Sequence, residues 1–214
     1  FCFFGNSFNS VIVGSNGAIS FDTAPAGGFC AWSYTASLPS ASLFANAIFG
    51  IYHDMDPSIC GTVRQGVLGT APCRTFVFNF DDVCHFSCTS LRTSSQVVLY
   101  ESTNVIEVYI EEKPTCAGWN SGNALVGIQN ATATVAYTPP GRNTGPWSVP
   151  AGSPEAWRFT PDGAPNYTVE WLDAGGSVIG TGANVDVCPI APTTYTAQIT
   201  YDNCDGTTIV ENDD

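Results

Sequence analysis

From Gln96 to Glu112 the chain reads QVVLYESTNVIEVYIEE, two apolar–polar alternating runs around a Ser-Thr-Asn break. Alternation at a period of two sends successive side chains to opposite faces, so each run suits a strand with one buried and one wet face. The polar break predicts a hairpin of residues 96–101 and 105–111. The same signature recurs elsewhere. NSVIVGSNGAISFD reads as two strands around Gly14-Ser15-Asn16-Gly17, where Asn-Gly supplies the positive φ of a tight hairpin. RTFVFNF puts Phe76, Phe78 and Phe80 on one face, and NALVGIQNATATVAYT adds one or two strands. Helical periodicity is nearly absent, and the 21 glycines and 14 prolines fall between the runs. The expectation is an all-β fold of many antiparallel strands.

Nine cysteines at positions 2, 30, 60, 73, 84, 88, 116, 188 and 204 bear on the compartment. None forms a C-x-x-C pair, and with two histidines a zinc site would need thiolates at unusual separations. Disulfides in an oxidising compartment are the better reading, and the odd count leaves one thiol unmatched. The 214 residues carry 19 acidic and only six basic groups, a formal charge of −13. Nothing in that balance neutralises a row of phosphates, so nucleic acid is excluded as a partner. It suits a soluble extracellular surface, and no apolar run is long enough to span a bilayer. With no initiator Met and no signal-like leader, the chain reads as a mature form or a part of a longer protein.

The turn-rich stretch WRFTPDGAPNY, Trp157 to Tyr167, marks a boundary between a first domain of residues 1–163 and a module of residues 164–214. Beyond it the alternating strands around Trp171 and from Thr194 to Tyr201 have the cadence of a small immunoglobulin-like β-sandwich with the Trp as core anchor. About fifty residues is short for that fold, and the module stops where a last strand would begin. Cys188 and Cys204 are the module's only cysteines and the candidates to bridge each other. Cys2 is the candidate odd thiol.

The first domain resembles the nidogen-like (NIDO) extracellular domain. The resemblance rests on VIVGSNGAISF, AIFGIYHDMDPSICGTV, FVFNF, QVVLYESTNVIEVYIEE and ALVGIQNA, taken in order. The whole chain is similar to modules of large secreted surface proteins of Bacteroidota exported by type IX secretion. Those share FFGN, YHD-x-DP, APCR-x-FV, KP-x-C-x-xWN-x-GNA, PGRN and AWRF-x-P-x-G, all present here. The resemblance implies a disulfide-stabilised, nidogen-like β-sandwich followed by an immunoglobulin-like module. It puts Cys30, Cys73, Cys88 and Cys116 at usual cysteine positions and makes Cys2, Cys60 and Cys84 additions. It also makes Asp22-Thr23-Ala24 a match to the D-[S/T]-A pattern of O-glycosylation in such proteins. Asn130-Ala-Thr and Asn166-Tyr-Thr are N-glycosylation sequons, meaningful in a eukaryotic secretory pathway.

IFGIYHDMDPSICG holds the densest chemistry, with His53, Asp54 and Asp56. In an extended segment His53 and Asp54 face opposite sides, so adjacency makes no dyad. His85 beside Cys84 meets the same objection, and Cys84 suits a disulfide better than a thiolate. No G-x-S-x-G, H-E-x-x-H or Gly-rich phosphate loop occurs, and the protein is expected not to be an enzyme. Asp54 and Asp56 are candidate calcium ligands on one side of the segment, completed by backbone carbonyls or by Asp81 and Asp82. The alternative is a turn at Asp56-Pro57-Ser58, Asp54 accepting backbone N–H groups and His53 on the surface. Glu111, Glu112 and Lys113 read as a solvated strand end, and Phe3, Phe4, Phe8 and Phe21 as core. Trp32, Trp119 and Trp147 are candidate sugar-stacking or protein-contact residues wherever they face water.

Taken together, the chain is expected to be a non-enzymatic extracellular module of an adhesin-like surface protein. Its partners would be a protein or carbohydrate ligand at the cell surface, or further copies of itself. The alternatives are a structural subunit of an extracellular filament, assembled by strand exchange or intermolecular contacts, and an accessory domain of a secreted hydrolase.

Overall fold

The computed structural model describes residues 1–213. The alternating runs become strands: β1 (Cys2–Phe3), β2 (Asn6–Ser7), β3 (Ile12–Val13), β4 (Ala18–Ser20), β5 (Ala47–Tyr52), β6 (Thr62–Leu68), β7 (Thr75–Cys84), β8 (Arg92–Tyr100) and β9 (Ile106–Glu112). There follow β10 (Asn123–Gln129), β11 (Ala136–Tyr137), β12 (Gly145–Pro146), β13 (Glu155–Phe159), β14 (Tyr167–Leu172), β15 (Val178–Thr181), β16 (Thr196–Asp202) and β17 (Thr208–Asp213). Among the described residues the sole helical element is a 3-10 turn at Asn120–Gly122.

Two antiparallel sheets face each other. One runs β11-β10-β5-β4-β3 with β12 also paired to β10; the other runs β13-β9-β8-β7-β6. Ile19, Ile48, Ile51, Val126 and Ile128 of the first pack on Phe78, Phe80, Val97, Leu99, Val108 and Ile110 of the second. This is the expected β-sandwich, its two inner faces supplied by period-two alternation. The expected hairpin is β8–β9, in register from Leu99 opposite Ile106 outward. Phe3 and Phe21 are buried in this core, and Phe4 and Phe8 pack against it.

β5 is buried from end to end because the first sheet is covered twice. Its inner face meets the second sheet, while Ala47, Phe49 and Tyr52 face Tyr34, Leu38 and Leu43 from the long 22–46 connection. A bulge lets Gly50 and Ile51 share the span opposite Val126, between the pairs Phe49–Gly127 and Tyr52–Leu125. A Cβ at Gly50 would meet Val97 Cγ2 at 2.4 Å, so the sheets close only over a glycine. That is why IFGIY reads as a continuous apolar run instead of an alternating one.

Residues 167–213 form one antiparallel sheet in the order β15-β14-β16-β17. The terminal TIVEND stretch forms β17, paired antiparallel with β16 along its whole length. No second layer covers this sheet as a strand among the described residues. Trp171, expected as a core anchor, is half-buried and donates from Nε1 to Gly182 O at 3.1 Å. Tyr201 is the buried residue of this sheet instead.

The cysteine expectations are corrected. The disulfides are Cys2–Cys204, Cys60–Cys84 and Cys88–Cys116, leaving Cys30, Cys73 and Cys188 unbridged. Cys2 is therefore no odd thiol, and Cys204 does not pair with Cys188. The paired N-terminal strands β1 and β2 bring Cys2 to the turn after β16, across 202 residues of sequence. Spacing carries no information about such a meeting. Cys73 is held by Glu211 of β17, with Sγ 3.2 Å from Oε2.

The Gly14–Gly17 turn does more than reverse the chain. Gly17 sits at φ +86°, and a Cβ there would lie 2.0 Å from Ile51 O. Gly17→Ala is expected to lower stability by at least about 2 kcal/mol, through strained backbone and displacement of β5. Urea unfolding at fixed pH measures this.

Candidate functional site

The His53–Asp56 segment leaves β5 and is held on two sides. His53 N donates to Asn16 O at 3.2 Å, and Met55 N to Asn16 Oδ1 at 3.0 Å. On the other side Asp56 N donates to Cys84 O at 2.8 Å and Phe86 N to Asp54 O at 3.2 Å. Extended backbone then alternates as the sequence implies: His53 and Met55 turn inward and Asp54 outward.

The inward side chains meet others from distant strands. His85 follows β7, Thr93 lies on β8 and Lys113 follows β9; all three are as buried as His53. Thr93 Oγ1 lies 2.8 Å from His85 Nε2 and 3.2 Å from His53 Nε2, and the imidazole centroids are 4.5 Å apart. Lys113 Nζ donates to Trp147 O at 2.6 Å and sits 4.5 Å from the Trp147 ring centre. Two expectations fail here. His53 is not on the surface, and Lys113 is not a solvated strand end, because the chain after β9 keeps pairing, Lys113 with Val149. Glu111 is exposed as expected.

Burial sets the charge state of this cluster. It pushes His53 well below the ordinary imidazole range, with the charges of His85 and Lys113 adding to the effect. His85 is lowered to about 4, first by burial and then by Lys113. Lys113 falls to about 7, by burial and then by Arg142. Two neutral imidazoles therefore share one hydroxyl beside a lysine that gives up its proton near neutrality. The Thr93 hydroxyl, the group such imidazoles would activate, belongs to a residue with no exposed surface.

Above the cluster the outward side chains build a second arrangement. Trp119 Nε1 donates to Asp54 Oδ2 at 2.7 Å. Trp32 stacks on Trp119 at 5.1 Å between centres, and Phe86 packs against Trp119 at 5.2 Å with its ring tilted by 44°. Asn120 Nδ2 fixes Trp32 O at 3.0 Å, and the Cys88–Cys116 bridge ties together the loops carrying Phe86 and Trp119. Phe86 is 42% exposed, and both tryptophans are half-buried. Trp147, the third tryptophan considered, is a core residue whose Nε1 donates to Ala124 O at 3.0 Å.

The acids stand as follows. Burial raises Asp54, against the lowering effect of the Trp119 bond, and nearby Asp56 raises it further. Asp56 Oδ1 accepts from Ser58 N at 3.0 Å and from its hydroxyl, the expected turn. Asp82 pairs with Arg92. Among the described residues no group of three or more His, Cys, Asp or Glu side chains is placed to hold a metal ion. Calcium at Asp54 and Asp56 would thus rest on those two carboxylates and backbone oxygens.

The match of a family model to residues 1–161, described as NIDO related, covers three-quarters of the chain. The chain belongs to the NIDO-related family. No curated protein and no solved structure matches it. A NIDO-related domain with two internal disulfides, and a third tying it to the C-terminal sheet, is typical of extracellular proteins. No helix among its described residues is long and apolar enough to cross a membrane.

The convergence of His85, Thr93 and Lys113 on His53 has no local signal in this NIDO-related sequence. It has a consequence in acid. Both imidazoles titrate lower folded than unfolded, so the unfolded chain binds more protons and stability falls as pH drops through 6.5 toward 4. Acidification from about pH 6.5 to about pH 5 is expected to cost roughly 3 kcal/mol through the pair. His85→Gln should remove close to half of that slope, as read by urea midpoints at several pH values.

Proposed function

We propose that the chain is a non-enzymatic, extracellular binding module whose contact surface is the Phe86–Trp119–Trp32 platform. The single observation that carries this reading is an aromatic face left open to solvent yet held rigid. A disulfide, a tryptophan–carboxylate hydrogen bond and an asparagine clamp each fix part of it. Rigid aromatics lose little conformational entropy on binding, and they stack on sugar rings or fill protein pockets. Asp54 at the rim adds one acceptor beside the rings. The reading of a non-enzyme is supported by the sealed Thr93 and the burial of both histidines. Three disulfides and the −13 charge support an extracellular setting. The ligand is then a protein or carbohydrate of a cell surface, and the whole protein an adhesin-like one, as in the secreted Bacteroidota proteins that the sequence resembles.

One further observation favours a second reading, a subunit of an extracellular filament. The edges β15 and β17 of the C-terminal sheet take no strand partner among the described residues. An open edge accepts a strand from a neighbour.

Glycan and extracellular-protein arrays, followed by titration calorimetry on the hits, separate these readings. Phe86→Ala and Trp119→Ala are each expected to weaken ligand binding by about tenfold or more. Phe86→Ala should leave the melting temperature unchanged, since the ring is largely outside the core. Binding indifferent to both substitutions would move the ligand site elsewhere, and ordered fibres without array hits would favour the filament.

A further inference from the structure

The second sheet of the sandwich overhangs the first. β6 pairs residue for residue with β7, so Val63, Gln65 and Val67 stand beside Phe80, Phe78 and Phe76. Phe78 and Phe80 lie between the sheets, and the β6 residues paired with them share that inward side. Yet all seven residues of β6 are exposed, Val63 at 36%, Val67 at 59% and Leu68 at 62%. The facing sheet ends at the two-residue β3 and does not reach them. A groove of about 180 Å³ opens at this seam, lined chiefly by Phe1, Phe8, Val11, Phe21, Val67 and Phe76.

Edge strands of monomeric proteins carry devices that prevent pairing: lysines, prolines, bulges or very short length. Of the devices that guard an edge, β6 has only one charge, Arg64. Its seven residues, TVRQGVL, contain no Lys and no Pro, and its register with β7 runs without a shift. It also contains no acid, in a chain of 19 acidic residues and net charge −13. Two copies of such a chain repel one another over most of their surfaces, and least along this strip.

We infer that β6 is a self-association edge, on which a second copy of this chain pairs antiparallel about a two-fold axis at Gln65. This alignment alone gives all seven residues a partner. Val63 falls opposite Val67, Thr62 opposite Leu68, and Gln65 opposite its own counterpart. Arg64, the one charged residue of the strand, falls opposite Gly66, so no like charges meet across the pair. The result is a ten-stranded sheet of two five-stranded halves. The two overhanging valine faces come together over the grooves, and the backbone groups of both edges are satisfied. Such an isologous contact closes on itself and makes a dimer, not a fibre.

Sedimentation velocity of the purified chain is expected to give about twice 22.6 kDa, with dimer favoured by added salt that screens the acidic surfaces. Val67→Lys should yield a monomer that still unfolds cooperatively, with a melting temperature that no longer depends on protein concentration. Cysteine trapping reads the register without disturbing the fold, in a background of Cys73→Ser and Cys188→Ser that removes the exposed thiols. Gln65→Cys alone should cross-link under mild oxidation, and Val63→Cys alone should not. Val63→Cys combined with Val67→Cys should cross-link again. A wild-type chain that stays monomeric at millimolar concentration overturns the inference, as does a dimer that survives Val67→Lys. Equal cross-linking by the two single cysteines overturns the register.

Discussion

Burial of β5 on both faces is the constraint from which the rest of the molecule follows. A central strand with apolar side chains on each side cannot be satisfied by a two-layer sandwich alone, since one face of each sheet is then wet. The 22–46 connection supplies the missing cover with Tyr34, Leu38 and Leu43. That solution raises a further problem. An irregular segment lying flat on a sheet has backbone groups with no ladder to join, and each one buried without a partner costs about 1–3 kcal/mol.

The partners come from amide side chains. Gln129, fully buried, accepts from Ser40 N at 2.6 Å and donates to Ser40 O and Phe44 O. Asn143 clasps Leu38 through both N and O, at 2.8 and 2.9 Å. Asn16 donates to Cys30 O and Ala31 O while its oxygen holds Met55 N, and Asn123 donates to Tyr34 O. These are the polar letters of GSNG, GIQN, PGRN and GNA, the motifs that carry the family resemblance. Their chemistry is structural: they replace a sheet ladder with fixed side-chain hydrogen bonds. A further amide, Asn120, holds Trp32 O where Trp32 stacks on Trp119, so the cover of β5 also shapes the aromatic platform.

YHDMD is divided between the two sides of this arrangement. Its inward half joins two neutral imidazoles, Thr93 and the buried Lys113, and its outward half presents Asp54 to Trp119. Burying three basic side chains without a carboxylate among them is unfavourable, and the fold meets this by keeping the imidazoles uncharged. The cluster is sealed at depth, while the aromatic group above it stays at the surface. Buried and outward-facing side chains alternate along this extended segment because the backbone sends successive residues to opposite sides.

The all-β class, the β8–β9 hairpin, the Gly14–Gly17 turn and the phenylalanine face of β7 were legible in the sequence, because each depends on neighbours within a few residues. Alternation and turn chemistry are local, and the chain spells them out. The Cys2–Cys204 bridge, the depth of His53 and Lys113, the core placement of Trp147 and the meeting of Trp32 with Trp119 were not. Each joins residues far apart along the chain, and spacing says nothing about which strand ends lie together. Lys113 shows the difference most plainly. Next to Glu111 and Glu112 it reads as solvated, yet pairing with Val149 carries it under Trp147. Local pattern determined which segments are strands and which face is apolar. Only the closing of two sheets over β5 decided which polar residues would be sealed inside and which left at the surface.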